Sequence, residues 1–238
     1  MAIYVVEDAV FEIFPAFRRG VVMATGINNS DVDPETADLL SQAISKVSQS
    51  PTNGEMEKIS VWNAAFTRMG MDPAKLSPSI RFLYEQIHRG RPPRPINKVV
   101  NLFNKTSIEW VAPCGGDDLN SLHGGDLCLG FSRGDETFVP LFKPTAVERI
   151  APGELTYFCP QTREALCRRW VWRNSHTTRL TSGTRAVALN LDFMMPPFCE
   201  ADLEAALGDL AASVARLCGG DIHTHILSPT NRSFHFDA

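Results

Sequence analysis

The spacing of apolar residues changes at Gly115-Gly116, and this change constrains the fold more than any other feature. Before these glycines, apolar residues recur every three or four positions, which is the period of amphipathic helices. After them the apolar residues alternate, as at Leu127, Leu129 and Phe131, which is typical of half-buried strands. Helices followed by strands predict a mixed α+β fold with a mostly antiparallel sheet flanked by helices.

The helical part contains segments with recognisable start and stop signals. Asp33-Pro34 offers an N-cap followed by proline, ahead of an apolar face that runs from Leu39 to Val47. Gly70 and Gly90 end the next two helices. A further helix is predicted from Ile96 to Trp110, after a loop too rich in proline for regular structure.

The polar face of that last helix holds three asparagines. Asn97, Asn101 and Asn104 stand at positions i, i+4 and i+7, so their amides are expected to point the same way. Asparagine is a mediocre helix former that carries both a donor and an acceptor. The three residues therefore form either a solvated face or the polar wall of a binding site.

Strands are predicted at residues 21–23, 127–131, 137–142, 154–158, 165–172 and 184–193. In the last strand Asn190 and Asp192 fall on the face opposite Leu189 and Leu191. A helix over residues 200–218 follows, and we expect the remaining tail to be mobile. We predict one domain over residues 1–238, with an N-terminal part (1–76), a motif-bearing part (77–193) and a C-terminal helix and tail (194–238).

Basic residues are concentrated in two segments of a chain whose formal net charge is −4. Residues 86–108 and 165–191 together hold ten of the 23 basic side chains and no acidic one. If the segments meet, they form a basic patch with Trp170 and Trp172 beside it, which suits phosphates and stacked bases. If they do not meet, they are two unrelated solvated faces. The net charge argues against a DNA-coating protein, so no DNA partner is expected.

Cysteine and histidine spacing argues against disulfides and metals. The six cysteines are widely spaced without a C-x-x-C pair, which predicts reduced, mostly buried thiols. His223, His225, His235 and Asp237 match no strong zinc pattern, so we predict neither a metal nor another cofactor. The chain has no apolar window of about 18 residues and no basic N-terminal flank, which predicts a cytoplasmic protein without a membrane partner.

The segment from Ala112 to Asp118 lies between the predicted helix and the first strand after it. Its paired glycines allow close backbone approach to a ligand and can direct amides at an oxyanion. Its adjacent carboxylates can hold an ammonium group. Ordinary turn chemistry is the alternative. Cys114 is a weak candidate nucleophile, because no histidine stands near it in sequence to act as its base.

Three motifs resemble those of the editing domain of the phenylalanyl-tRNA synthetase beta subunit, its B-three/B-four module. The first contains Arg94, Asn97, Asn101 and Asn104, the second spans residues 113–118, and the third is the Cys-Arg-Arg-Trp-Val-Trp-Arg-Asn-Ser run at 167–175. This chain is similar to free-standing relatives of that domain. The resemblance implies the fold of the module, a pocket between the asparagine helix and the sheet, and binding of the aminoacyl end of tRNA. In the synthetase, that pocket hydrolyses a wrongly attached amino acid, chiefly tyrosine.

The chain departs from the family pattern at three site positions. Gly115 stands where the family has a histidine, Phe103 where it has a threonine, and Asn190 where it has a glutamate associated with the tyrosine hydroxyl. The specificity for tyrosine therefore does not carry over. Hydrolysis of an activated ester still needs only a positioned water, a ribose hydroxyl of the substrate and donors to the oxyanion.

On this resemblance we predict a trans-editing aminoacyl-tRNA deacylase, whose partners are tRNA and its small amino-acid moiety. The predicted catalytic residues are Gly115, Gly116 and Asp118. The predicted substrate-binding residues are Asn97, Asn101, Asn104, Asp117 and Asn190, and the predicted RNA-binding residues are Arg94, Arg168, Arg169, Trp172 and Arg173. Two alternatives stay open: a non-catalytic tRNA- or amino-acid-binding module, and a thiol- or metal-dependent hydrolase unrelated to tRNA.

Overall fold

A computed structural model describes residues 1–30, 33–47, 51–122 and 125–236 of the chain. The helices are α1 (Asp8–Ile13), α2 (Pro34–Lys46), α3 (Asn53–Arg68), α4 (Ser79–His88), α5 (Lys98–Trp110) and α6 (Glu200–Cys218). The strands are β1 (Ala2–Val6), β2 (Phe17–Thr25), β3 (Cys114–Asp118), β4 (Leu127–Phe131), β5 (Thr137–Phe138), β6 (Glu148–Arg149), β7 (Leu155–Cys159), β8 (Glu164–Arg168), β9 (Arg173–Asn174), β10 (Ala186–Met194), β11 (Asp221–Leu227) and β12 (Ser233–Phe236).

The strands form two sheets. The larger sheet has the order β12-β1-β4-β7-β8-β5-β6, with β9 paired to β8, and the smaller sheet has the order β11-β2-β10-β3. Only the β1–β4 and β5–β8 pairs are parallel among those described. The α+β class and the mostly antiparallel pairing are confirmed.

Strand β10 lies at the centre of the molecule. All nine of its residues are buried, and it pairs with β2 on one side and β3 on the other. On one face of the smaller sheet, Val187 and Leu189 pack with apolar residues of α5 and α6. On the other face, Ala186 and Ala188 pack with Tyr4 and other residues of the larger sheet. The smaller sheet is therefore sandwiched between helices and the larger sheet.

Helices α2 and α5 begin at or within two residues of the positions that their sequence signals predicted. Asp33 accepts a hydrogen bond from the Thr36 amide at 2.8 Å, and Pro34 is the first residue of α2. The predicted helix from Ile96 begins two residues later, because Asn97 is its N-cap and accepts from the Val100 amide at 3.0 Å. Capping satisfies amides that have no partner within the helix.

Three sequence expectations about strands are wrong. The strand predicted over 165–172 ends at Arg168, because Arg169 and Trp170 adopt left-handed backbone conformations, with φ of 50° and 64°. The strand predicted over 137–142 ends at Phe138. The tail expected to be mobile instead forms β11 and β12, which pair with β2 and β1. Asp237 lies outside the described residues.

Candidate functional site

A cavity of about 450 Å³ opens between α5, the edge strand β3 and the larger sheet. Its floor consists of buried residues, namely Arg19, Tyr157, Cys167, Trp170 and Asp192. Its mouth is bordered by exposed residues, namely Leu141, Lys143, Glu148 and Arg173. We call this space the main cavity.

About half of the predicted site residues line the main cavity. Those that line it are Asn104, Gly115, Gly116, Asp117, Trp172, Arg173 and Asn190. They come from α5, β3, β10 and the segment after β8, so the fold brings together the three motifs that lie far apart in sequence. The pocket expected between the asparagine helix and the sheet is present.

The first two asparagines have structural roles instead of lining the main cavity. Both are buried. Asn97 caps α5 and donates to the Leu180 carbonyl at 3.3 Å. Asn101 accepts from the Ile96 amide at 2.9 Å and donates to the Thr36 hydroxyl at 3.1 Å. They fix the start of α5, and this corrects the expectation that their amides line the pocket.

Asp118, predicted as catalytic, is also placed outside the main cavity. Its carboxylate accepts from the Thr184 hydroxyl at 2.6 Å and from the Asn120 amide at 2.9 Å. The residue is buried and caps the short turn that follows β3. Its side chain therefore holds the loop around β3, and Asp117 is the member of the pair that reaches the main cavity.

The predicted RNA-binding arginines divide into two groups. Arg168 is buried and forms ion pairs at 2.7 Å with both Glu148 and Glu154, so it is not free for phosphate. Arg94 is exposed but does not line either cavity described in this section. Neither side chain therefore offers a free positive charge to these two cavities.

Two guanidinium groups lie close to the ring of Trp172, which lines the main cavity. Arg169 and Arg173 stand 4.4 Å and 4.3 Å from the centre of its ring. Arg173 is exposed, whereas Arg169 is half-buried and 3.5 Å from Glu154. Cation–π contacts of this length are attractive and fix the indole in place. Trp170, by contrast, is a core residue that packs against Trp62.

The floor carries a buried polar network that sequence reasoning missed. Asp192 accepts from two Arg19 nitrogens at 2.7 Å each and from the Trp170 indole at 3.1 Å. The Tyr4 hydroxyl donates to Asn190 and accepts from Arg19 at 3.0 Å. Burial opposes the charge of Arg19, but Asp192 outweighs burial and raises the pKa of Arg19. The available signal was the presence of charged residues in two largely apolar strands, Arg18 and Arg19 in β2 and Asp192 in β10.

The side chains of Asp117 and Cys114 both have pKa values above the ordinary values of their groups. Burial raises the pKa of Asp117 to about 7, against a 2.6 Å hydrogen bond from Thr178 and the charge of Arg19, which lower it. Burial also raises the pKa of the Cys114 thiol far above its usual range. A protonated thiol is a poor nucleophile, so Cys114 does not suit nucleophilic catalysis.

The two glycines of β3 face different ways. Gly115 lies opposite Asn190 and Gly116 opposite Leu189 in the β3–β10 pair. The Asp192 amide donates to the Pro113 carbonyl, whereas the Asp118 amide donates away from β10, to Thr178. Because amides alternate along a strand, Gly115 bonds to β10 and the Gly116 amide points to the open edge. Of the two predicted oxyanion donors, only Gly116 is left available.

A second cavity of about 460 Å³ adjoins the first. The two share Ser79, Asn104, Cys114, Trp172 and Arg173. The remaining lining residues of the second cavity are Lys75, Ser77, Phe82, Leu83 and Ser107. Trp172 therefore lines two adjacent spaces, and the second space is bordered by Lys75 and by the exposed ring of Phe82.

Within the described part of the chain, no group of three or more histidine, cysteine, aspartate or glutamate side chains is arranged to hold a metal ion. His223 and His225 lie on β11, where His225 stacks on Phe234 at 3.6 Å. All six cysteines are free thiols. No helix among the described residues is long and apolar enough to cross a membrane.

The family model of the B3/4 domain matches residues 61–218. Among solved structures, the chain is similar to an N-terminal fragment of the phenylalanyl-tRNA synthetase beta-subunit from Pyrococcus horikoshii, with 15% identity and a TM-score of 0.44. That match covers 92% of this chain and 49% of the fragment, so the chain spans about half the length of the fragment. No curated protein matches. Because the family model covers more than half of the sequence, the resemblance is confirmed, and this chain belongs to the B3/4 domain family.

Proposed function

We propose that the main cavity binds the aminoacylated 3′ end of a tRNA and that the protein hydrolyses the ester of a mischarged tRNA. One observation carries the proposal: Gly116, Asp117, Trp172 and Arg173 line the same cavity. They match the oxyanion, the ammonium and the nucleotide of an aminoacyl ester. Membership of the B3/4 family supports a role related to tRNA synthetases.

Asp117 receives the α-ammonium group of the amino acid. Its pKa of about 7 leaves the carboxyl partly protonated near neutral pH. A positive charge within a few ångströms favours the ionised form of a carboxyl. Binding of the ammonium group therefore supplies a counter-ion to Asp117, and esters without a positive charge bind less well.

Hydrolysis uses water as the nucleophile. Water attacks the ester carbonyl carbon, and the electron pair moves to the carbonyl oxygen, where the Gly116 amide donates to it. The carbon–oxygen bond to the ribose then breaks, and the ribose oxygen leaves with a proton that originates from the water. The neighbouring ribose hydroxyl of the substrate assists this transfer, because the Cys114 thiol stays protonated and the described cavity has no histidine in its lining.

The terminal nucleotide occupies the second cavity. Lys75 and Arg173 supply positive charge for a phosphate, and Phe82 and Trp172 supply aromatic surfaces for a base. Such a combination of cations and rings is typical of sites for single-stranded nucleic acid. Asn104 and Trp172 line both cavities. In this arrangement they lie beside the ester, which joins the amino acid in the main cavity to the nucleotide in the second cavity.

A panel of labelled aminoacyl-tRNAs, correctly and wrongly charged, tests the proposal. Loss of ester above the spontaneous rate for one class establishes a deacylase, and Asp117→Asn should then reduce that rate. Asp118→Asn serves as the matched control, because Asp118 caps a turn outside the cavity. If neither hydrolysis nor binding of any aminoacyl-tRNA occurs, the proposal is wrong.

The non-catalytic alternative is supported by the same lining. Within the described cavity, Asp117 is the one carboxyl not engaged by an arginine, so general-base chemistry depends on a single group. A module that binds the aminoacyl end without hydrolysing it would retain aminoacyl-tRNA on a filter while the ester decays at its spontaneous rate. The panel therefore separates the two functions.

A further inference from the structure

The Tyr157 hydroxyl is a buried polar group on the floor of the main cavity that makes no well-aligned hydrogen bond. Five side-chain atoms in the described chain are buried without a hydrogen bond of normal geometry, and of these only the Tyr157 hydroxyl belongs to a residue that lines the cavity. Tyr157 is 1% exposed. A buried hydroxyl without a good hydrogen bond is costly, so a ligand group that bonds to it well would be favoured at this position.

Neighbouring groups hold Tyr157 in place. Tyr157 lies on β7. The centre of its ring is 5.6 Å from the centre of the Tyr4 ring and 5.3 Å from the Arg19 guanidinium. Burial and the nearby Tyr4, whose contact with the Tyr157 hydroxyl is too poorly aligned for a full hydrogen bond, raise the pKa of Tyr157 and keep its hydroxyl protonated. The hydroxyl is therefore a fixed group that can both donate and accept.

The other polar groups of the floor are already satisfied and their charges are balanced. Arg19 and Asp192 neutralise each other, and Asn190 accepts from Tyr4. A charged ligand group on the floor would meet no free counter-ion there, and burying an unpaired charge is costly. The ligand group that bonds to Tyr157 is accordingly neutral and polar.

We propose that Tyr157 is a specificity-determining residue that hydrogen-bonds a neutral polar group, a hydroxyl or an amide, at the end of the bound amino-acid side chain. This inference rests on the proposed function, since it assumes that the main cavity holds the aminoacyl group. Gly116 and Asp117 lie on β3, on the smaller sheet, whereas Tyr157 belongs to the larger sheet. The ester and ammonium therefore sit at one wall and the end of the side chain reaches the other.

Pairs of aminoacyl-tRNAs of similar shape test this directly. Threonine with valine, asparagine with leucine, and tyrosine with phenylalanine differ mainly in one polar group, and each is measured for retention and ester loss on a common tRNA. We expect wild type to favour the polar member of at least one pair by about 3- to 10-fold, the effect of one neutral hydrogen bond. Tyr157→Phe should bring that ratio to about 1 and leave the apolar member unchanged.

Tyr84→Phe is the matched control, because the Tyr84 hydroxyl is buried but donates to the Ile108 carbonyl away from the cavity floor. It should keep the wild-type ratio. The inference is overturned if wild type retains and hydrolyses both members of every pair equally. It is also overturned if Tyr157→Phe lowers retention and hydrolysis of both members by the same factor. Either result leaves the proposed function standing. If no aminoacyl-tRNA is retained or hydrolysed, the proposed function fails and the inference fails with it.

Discussion

Arg19 and Asp192 face each other directly across the β2–β10 ladder and form a bidentate ion pair with both distances at 2.7 Å. Each side chain is only 2% exposed. Arg18, the preceding residue of β2, instead pairs with the exposed Glu200 at 2.8 Å. Because neighbouring side chains of a strand point to opposite faces, one strand carries both a buried and a surface ion pair.

Replacing Arg19 by methionine should destabilise the fold by about 3–5 kcal/mol, because the buried Asp192 carboxylate loses its counter-ion. Arg18→Met is the control and should cost at most about 1 kcal/mol, since exposed ion pairs contribute little. Urea unfolding of both variants measures the difference. If both variants lose a similar free energy of unfolding, the Arg19–Asp192 ion pair contributes no more to stability than the surface pair of Arg18.

Stability should fall as pH rises from about 4 to 7, through the titration of Asp117. Its pKa of about 7 in the folded state lies above the ordinary value of 3.8, so the folded state binds more protons in this range. One such group contributes a slope of up to about 1.4 kcal/mol per pH unit. Asp117→Asn should lose this contribution, which unfolding curves at several pH values reveal as a difference from wild type. An unchanged slope would mean that Asp117 titrates normally.

The two glycines of β3 should respond differently to alanine. A Cβ on Gly116 would stand 2.4 Å from a methyl of the fully buried Leu189, so Gly116→Ala should destabilise by about 1–3 kcal/mol. A Cβ on Gly115 meets nothing closer than Asn174 at 3.4 Å. Gly115→Ala should therefore leave stability unchanged or slightly higher. Thermal unfolding compares the pair, and equal effects would contradict the close packing of Gly116.

Tyr157→Phe should not destabilise the fold, because its hydroxyl has no well-aligned hydrogen bond to lose. Tyr84→Phe removes a 2.8 Å hydrogen bond to a buried carbonyl and should cost about 0.5–1.5 kcal/mol. Denaturant midpoints of the two variants give the comparison. A larger loss in Tyr157→Phe would reveal a structural bond for this hydroxyl.

Local signals in the sequence predicted the helices well, whereas the position of the main cavity depends on contacts between residues far apart in the chain. Apolar period and caps located α2 and α5 because these depend on neighbouring residues. The main cavity could be placed only through motifs, and its floor was missed because Arg19 and Asp192 lie 173 residues apart. The helical spacing of the three asparagines did not separate their roles. Asn97 and Asn101 cap and brace the start of α5, and of the three only Asn104 lines the main cavity. The single-domain boundaries stay a prediction.

Arg173 should contribute to tRNA binding through its charge. It is exposed, borders both cavities and rests on Trp172, which holds the guanidinium at their common edge. Arg173→Gln should weaken tRNA binding and lower the slope of log affinity against log salt by about one, because one phosphate contact is lost. Arg216→Gln is the control, since Arg216 lies on α6, pairs with Glu35 and lines neither cavity. Filter binding over a range of salt concentrations measures both variants. Equal slopes for wild type and Arg173→Gln would place the RNA phosphates elsewhere on the protein.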